Sequence, residues 1–268
     1  MSRGIDYKPV MQHAFPSRLR RITLAVLSTA IFVVPVHAQS NSFSGAVALS
    51  SQLVDRGLAL SPVTPILQGN VAWTTASGWS LGMSAATQTR SPGHGSEAMA
   101  QLAHYWSLSN DWRMQAGVVY YTYPGNGGAR AFDRVETGVN WMYRDVLSFG
   151  LSAITLTHGN DHQPRGAADV DFHWPLPQNF AFSAGLGVTQ PLNARMEGGA
   201  WTYGYSSYVQ GYGYVHLRAP SYYGYGHLGV SWAYGSWRVE LDRVFTDPGI
   251  RRLGGAAAPW VATIAWAF

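Results

Sequence analysis

The sequence predicts an all-β chain: a transmembrane, antiparallel, up-and-down β-barrel of about 12 strands, or 14 if both arms of one Tyr-rich segment also span. Three observations lead there. Hydropathy alternates with period two in segments of about ten residues separated by turn residues. After the first 38 residues, no segment approaches the roughly 18 uninterrupted apolar residues that a spanning helix needs. With only 12% charged residues beside 13% aromatics and 30 glycines, the composition is unlike that of a soluble globule. In lipid every backbone polar group must find a partner within the protein, so a chain without spanning helices has the closed barrel as its remaining solution.

Residues 1–38 read as a signal peptide that is cleaved, leaving 39–268 as one barrel domain. Arg18, Arg20 and Arg21 make a positive start, Ile22–Val34 is an apolar run, Pro35 breaks it, and Val36-His37-Ala38 offers small residues at the positions a signal peptidase reads. The leader takes Arg3, Lys8, Arg18, Arg20 and Arg21 with it but only Asp6, so the net charge of +4 falls to near zero. The basic pI therefore belongs to export and does not point to nucleic acid. The absence of cysteine excludes a disulfide framework and a thiolate metal site.

Strands are expected near 42–54, 65–76, 79–90, 96–107, 112–123, 131–142, 146–157, 166–174, 180–190, 222–234, 237–246 and 259–268. In the strand expected at 79–90, for example, Trp79, Leu81 and Met83 alternate with Ser80, Gly82 and Ser84; Phe180, Phe182 and Leu186 alternate with Ala181, Ser183 and Gly187. Connections alternate between short, as at Ser77-Gly78 and Gly235-Ser236, and generally longer, as at 55–64 and 191–221, which is the pattern of periplasmic turns and external loops. Trp73, Trp79, Trp106, Trp112, Trp141, Trp174, Trp232, Trp237 and Trp266 sit beside the short turns, where an interfacial belt is expected. In the last strand Ile264, Trp266 and Phe268 share one face and end on an aromatic carboxyl terminus, the form of signal read by the barrel-assembly machinery after delivery by periplasmic chaperones.

Ser50–Gly57, Pro65–Gly69, Ser77-Gly78-Trp79 and Val119–Gly125 resemble the TorF family of porins, and the likeness spans most of the chain after the leader. The resemblance implies a barrel in the outer membrane of a Gram-negative bacterium, in contact with its lipid, and a porin function without a defined solute. Segment 191–221 departs from the family by its Tyr and Gly content, and so do the residues around Glu97.

Alternation points Arg113, Arg134, Glu136, Asp169, Asp171, Arg238, Glu240 and Asp242 inward, and these are the expected pore-lining residues. Gln68, Asn70, Gln115, Asn140 and His173 join them. Small hydrophilic solutes are the expected cargo, selected by size and field with no covalent step. Arg243 breaks the rule, because strict alternation from Trp237, Val239 and Leu241 turns it toward lipid; a bulge or a snorkelling side chain is expected there. Asp55-Arg56-Gly57 is expected to brace the first external loop through an ion pair and a Gly turn. The Tyr/Gly run Tyr203–Tyr225 reads as an external loop, extending the wall or folding inward.

No cofactor, metal site or catalytic residue is expected. His158 and His162 are four apart, but in a Gly/Asn/Asp loop rather than on a helix. The alternatives to a channel are a non-conducting structural or adhesive barrel working through its external loops, and a barrel enzyme acting on lipid.

Overall fold

The computed structural model describes residues 41–92, 95–124, 129–158, 162–192, 221–252 and 254–268. The expected leader lies outside them, as do Tyr203, Tyr205, Tyr208, Tyr212, Tyr214, His216 and Arg218 of the Tyr/Gly run. Twelve strands close into one antiparallel barrel. In chain order they are β1 (Ser42–Ser50), β4 (Ile66–Thr74), β5 (Trp79–Gln88), β6 (Gly95–Ser107), β7 (Trp112–Thr122), β8 (Arg134–Tyr143), β9 (Leu147–Leu156), β10 (Arg165–Pro175), β11 (Phe180–Thr189), β12 (Tyr223–Tyr234), β13 (Trp237–Thr246) and β14 (Trp260–Ala267). Two further short strands, β2 (Val54–Asp55) and β3 (Leu58–Ala59), pair only with each other. Because β11 pairs directly with β12 along its whole length, the ring holds 12 strands and not 14.

Each strand sorts its residues by the period-two rule. On β14, Val261, Thr263 and Ala265 are buried while Trp260, Ala262, Ile264 and Trp266 are exposed. On β13, Glu240, Asp242 and Val244 are buried between exposed Trp237, Val239, Leu241 and Phe245. The outside is therefore apolar and aromatic, and the inside is small or polar.

Short turns join the strand pairs at one end. At 143–146, Arg144 and Asp145 both have positive φ (47° and 60°), and the Val146 N–H donates to the Tyr143 carbonyl over 2.9 Å. Positive φ at both central positions is the I′ geometry whose twist matches a hairpin. Gln178 and Asn179 repeat it at φ 60° and 66°. The first of these turns is clamped to its neighbour: Arg144 Nε lies 2.7 Å from Asp111 Oδ1, and Arg113 pairs with Asp145.

Three expectations are corrected. First, β1 stops at Ser50 rather than 54, because the chain turns into the barrel there, and β8 starts at Arg134 rather than 131, because Ala129–Phe132 forms a 3-10 turn. Second, of the two outcomes expected at Arg243, a bulge or a snorkelling side chain, the bulge does not occur: Arg243 pairs in unbroken register with Leu228 and Trp260. Its guanidinium instead lies 5.2 Å from the Trp260 ring centre and 5.9 Å from that of Phe245, so two aromatic faces shelter the charge on the outer surface near the end of the strand. Third, the irregularity falls between Ala86 and Thr87, where the β5–β6 register shifts.

The seam is closed by β1 and β14, with Val47 opposite Trp266 and Leu49 opposite Ile264. Past the end of that ladder, Gly45 and Phe268 exchange backbone hydrogen bonds of 3.0 and 2.9 Å. The Phe268 ring then lies over Gly45, where a Cβ would come 2.8 Å from ring carbon Cε2 and closer still to Cζ. At Gly69, also on the outer face, a Cβ would meet nothing within 4 Å. Gly45→Val is therefore expected to cost about 1–3 kcal/mol by forcing the terminal ring off the seam. Gly69→Val is expected to be near neutral. Urea titration of refolding, followed by heat-modifiable gel mobility, compares the two; equal behaviour would show that the ring contributes nothing to closure.

Candidate functional site

The first long connection, 51–65, does not stand above the barrel. It turns inward at Ser51 and places the β2–β3 hairpin inside the upper lumen, where Leu53, Val54, Asp55, Arg56 and Leu58 are all at most 5% exposed. Arg56 and Gly57 form its two-residue tip with φ of 47° and 77°. Glycine is needed at 57 for two reasons: the positive φ, and a wall so close that a Cβ would sit 2.7 Å from Thr246 Oγ1 and 3.0 Å from Tyr225 Cβ.

The hairpin touches the wall on several sides. Leu53 and Leu60 pack with Ile66, Met99, Tyr121, Tyr123, Ile154 and Leu156 on one side. Leu58 packs with Tyr223 and with Ile250 of a short helix, α1 (Pro248–Arg252). Val54 packs with Val244 and Val261. Backbone bonds fasten it to the segment preceding β14, from Ala59 N–H to the Gly255 carbonyl (3.0 Å) and from Ala257 N–H to the Gly57 carbonyl (2.8 Å). Thr246 Oγ1 also donates to the Gly57 carbonyl over 2.7 Å.

At the tip, four buried charges alternate around a ring. Asp55 Oδ2 lies 2.8 Å from Arg134 Nη2, Arg134 Nε lies 3.6 Å from Glu136 Oε2, Glu136 pairs with Arg56, and Arg56 Nη1 lies 3.8 Å from Asp55 Oδ1. The Asp55–Arg134 contact is close but not aligned as a hydrogen bond, so its contribution is Coulombic. Burial opposes the charge on Arg56, but Glu136 and then Asp55 outweigh it and hold the guanidinium pKa well above its ordinary value. Arg134 further stacks on Tyr121, 4.0 Å from the ring centre, and donates to the Tyr123 hydroxyl over 3.1 Å. Charges withdrawn from water are tolerable only when each is met by opposite charge and hydrogen bonds.

The eight expected lining residues therefore divide into three groups. Arg134 and Glu136 are buried anchors of the hairpin. Arg113 sits at the turn end, engaged with Asp145. Asp169, Asp171, Arg238, Glu240 and Asp242 occupy inward positions on β10 and β13, with Arg238 Nη2 3.2 Å from Glu240 Oε1. Asp55 and Arg56 form the expected ion pair beside the Gly57 turn, and both pair more closely with Arg134 and Glu136 across the lumen. Alternation had marked Arg134 and Glu136 as inward; their partners lie about 80 residues away and carry no local signal.

Below the hairpin a small cavity of about 70 Å³ is lined by Gln101, Gln115, Glu136, Asn140, Ser152 and Asp169 together with Met99, Val119 and Tyr121. Several amides that face inward have atoms without a protein partner among the described residues: Gln68 Nε2, Asn70 Oδ1, Gln115 Oε1 and Asn140 Oδ1. Of the two closely spaced histidines, His158 Nδ1 lies 3.3 Å from Asp133 Oδ2 and His162 Nδ1 lies 2.9 Å from the Leu156 carbonyl. Among the described residues no group of three or more His, Cys, Asp or Glu is placed to hold a metal ion.

Among solved structures, the chain is similar to the NanC porin (TM-score 0.49, 11% identity, 85% of this chain and 99% of that one). It is similar to the KdgM porin with the same TM-score, 7% identity, and coverage of 84% and 98%. Pseudomonas aeruginosa OccK5 (OpdH) aligns with a TM-score of 0.39 and 6% identity over 86% of this chain and 67% of that one. Comparison with curated protein sequences gives no match. Residues 36–210, well over half of the chain, match the family model Gcw_chp, described as a bacterial protein of unknown function, and the chain belongs to that family.

Proposed function

We propose that this protein is a porin-type channel of a Gram-negative outer membrane, which passes small hydrophilic solutes and is narrowed at its external half by the inward β2–β3 hairpin. The observation that carries the reading is the set of unpartnered polar atoms on Gln68, Asn70, Gln115 and Asn140, inside a barrel whose outside is apolar. A buried polar atom left unsatisfied costs about 1–3 kcal/mol. Four of them, on β4, β7 and β8, are reasonable only where water or a polar solute meets them. Membrane residence is supported by the outer face, where Val47, Leu81, Val118, Leu151, Val230 and Ile264 are exposed in the middle of the strands and Trp73, Trp79, Trp106, Trp174, Trp237 and Trp266 near the short turns. The leader at 1–38 and the terminal strand fit export and handling by chaperones and the assembly machinery, and the TorF resemblance of Ser50–Gly57 agrees with a porin role.

A second reading, a non-conducting barrel working through its external loops, is favoured by the apolar packing around Leu53, Leu58 and Leu60. Planar-bilayer recording separates the two. The refolded protein is expected to give small, steady single-channel currents, and replacement of residues 53–60 by a short Gly/Ser linker is expected to raise them several-fold. Absence of current from both proteins would establish the second reading.

The hairpin's docking has its own test. Glu136→Gln leaves Arg56 and Arg134 short of one counter-charge, a loss of roughly 3–5 kcal/mol for a buried pair. Trypsin added to the folded protein is expected to spare the Arg56–Gly57 bond in the wild type and to cut it in the variant. Equal protection would mean that apolar packing alone holds the hairpin.

A further inference from the structure

Among the lumen charges placed above, those left without an ion pair are all acidic. Arg56 and Arg134 are balanced by Asp55 and Glu136, Arg238 by Glu240, and Arg113 by Asp145. Asp169, Asp171 and Asp242 have no cationic side chain within ion-pair distance among the described residues. Two of the three lean toward each other over a floor of glycine. Asp171 on β10 lies over Gly185 of β11, where the His227 ring from β12 meets it from the other side. Asp242 on β13 lies over Gly229 of β12, where Ser183 from β11 meets it, and a Cβ at 229 would run into both. These two acids therefore flank a stretch of inner wall, here called the trough, that carries His227 and Ser183 between them. Asp242 is 6% exposed, and its Oδ1 and the Ser183 Oγ have no partner among the described residues.

Resting on the channel reading above, we infer that this trough is a binding site for small organic cations bearing ammonium or guanidinium groups, and that it makes the channel cation-preferring. Fixed charge of one sign in a confined lumen admits the opposite sign. Asp171 and Asp242 stand on strands separated by β11 and β12, too far apart to share a metal ion, in line with the lack of any metal-holding cluster among the described residues. An elongated cation with a charge at each end spans them, and Ser183, with its unpaired hydroxyl oxygen, supplies an acceptor between. Unpartnered amide oxygens of Asn70, Gln115 and Asn140 on other strands offer further acceptors and no repelling charge.

The test uses agmatine, which carries one ammonium and one guanidinium group, and glutarate as a dianion of similar length. For the refolded full chain across a KCl gradient, the reversal potential is expected to have the sign of cation preference and to move toward zero in Asp171→Asn/Asp242→Asn. Agmatine and not glutarate is expected to reduce the wild-type current. Calorimetry in detergent micelles is expected to give agmatine binding that the double variant loses at unchanged heat-modifiable mobility; if that variant fails to fold, the wild-type preference and block decide. Current without cation preference, or agmatine binding that survives the double substitution, overturns the trough. No current at all with agmatine binding intact overturns the channel reading and leaves the trough standing.

Discussion

An open sheet edge leaves a row of backbone amides and carbonyls without partners, and the pairing of β1 with β14 removes the last such edge from the barrel. Everything else depends on that closure. Without it there is no inside and outside for the alternation to sort, and Trp266 and Val47 would not meet on one face. Gly45 serves the same closure in a different way: it leaves room for the ring of the final residue to lie on the seam.

Closure also explains how the interior can be so varied. Once the wall is complete, an inward residue answers only to its neighbours across the lumen. The upper lumen is filled by a hairpin whose apolar side chains meet Ile66, Tyr223 and Val261, and whose tip carries a ring of four alternating charges. Lower down, small residues such as Gly150, Gly185 and Gly229 form floors on which Asp169, Asp171 and Asp242 lie flat against the wall. The balance of forces thus differs along one axis, from packing and paired charge above to unpaired polar groups below.

The two regimes have opposite consequences. Paired, buried charges fix the position of a segment, because separating either pair strands a charge in a low-dielectric space. Unpaired polar groups instead require a guest, whether water or solute. In this protein Arg56 and Glu136 hold the hairpin in place, while Asp242 Oδ1 and Asn140 Oδ1 have no partner among the described residues.

The amino-acid sequence by itself determined the strands, the outward faces and the closing segment, because a period of two is a local property that each strand carries alone; the choice of 12 strands over 14 came from the direct pairing of β11 with β12. Arg134, Glu136, Asp171 and Asp242 were legible as inward for that reason. Only the tertiary structure decided where residues 51–65 go, what Asp55 and Arg56 bind, and that Arg243 rests on Trp260 without a bulge. Those outcomes depend on charges and cavities assembled from strands far apart in the chain. Alternation says which way a side chain points, and nothing about what will be waiting there.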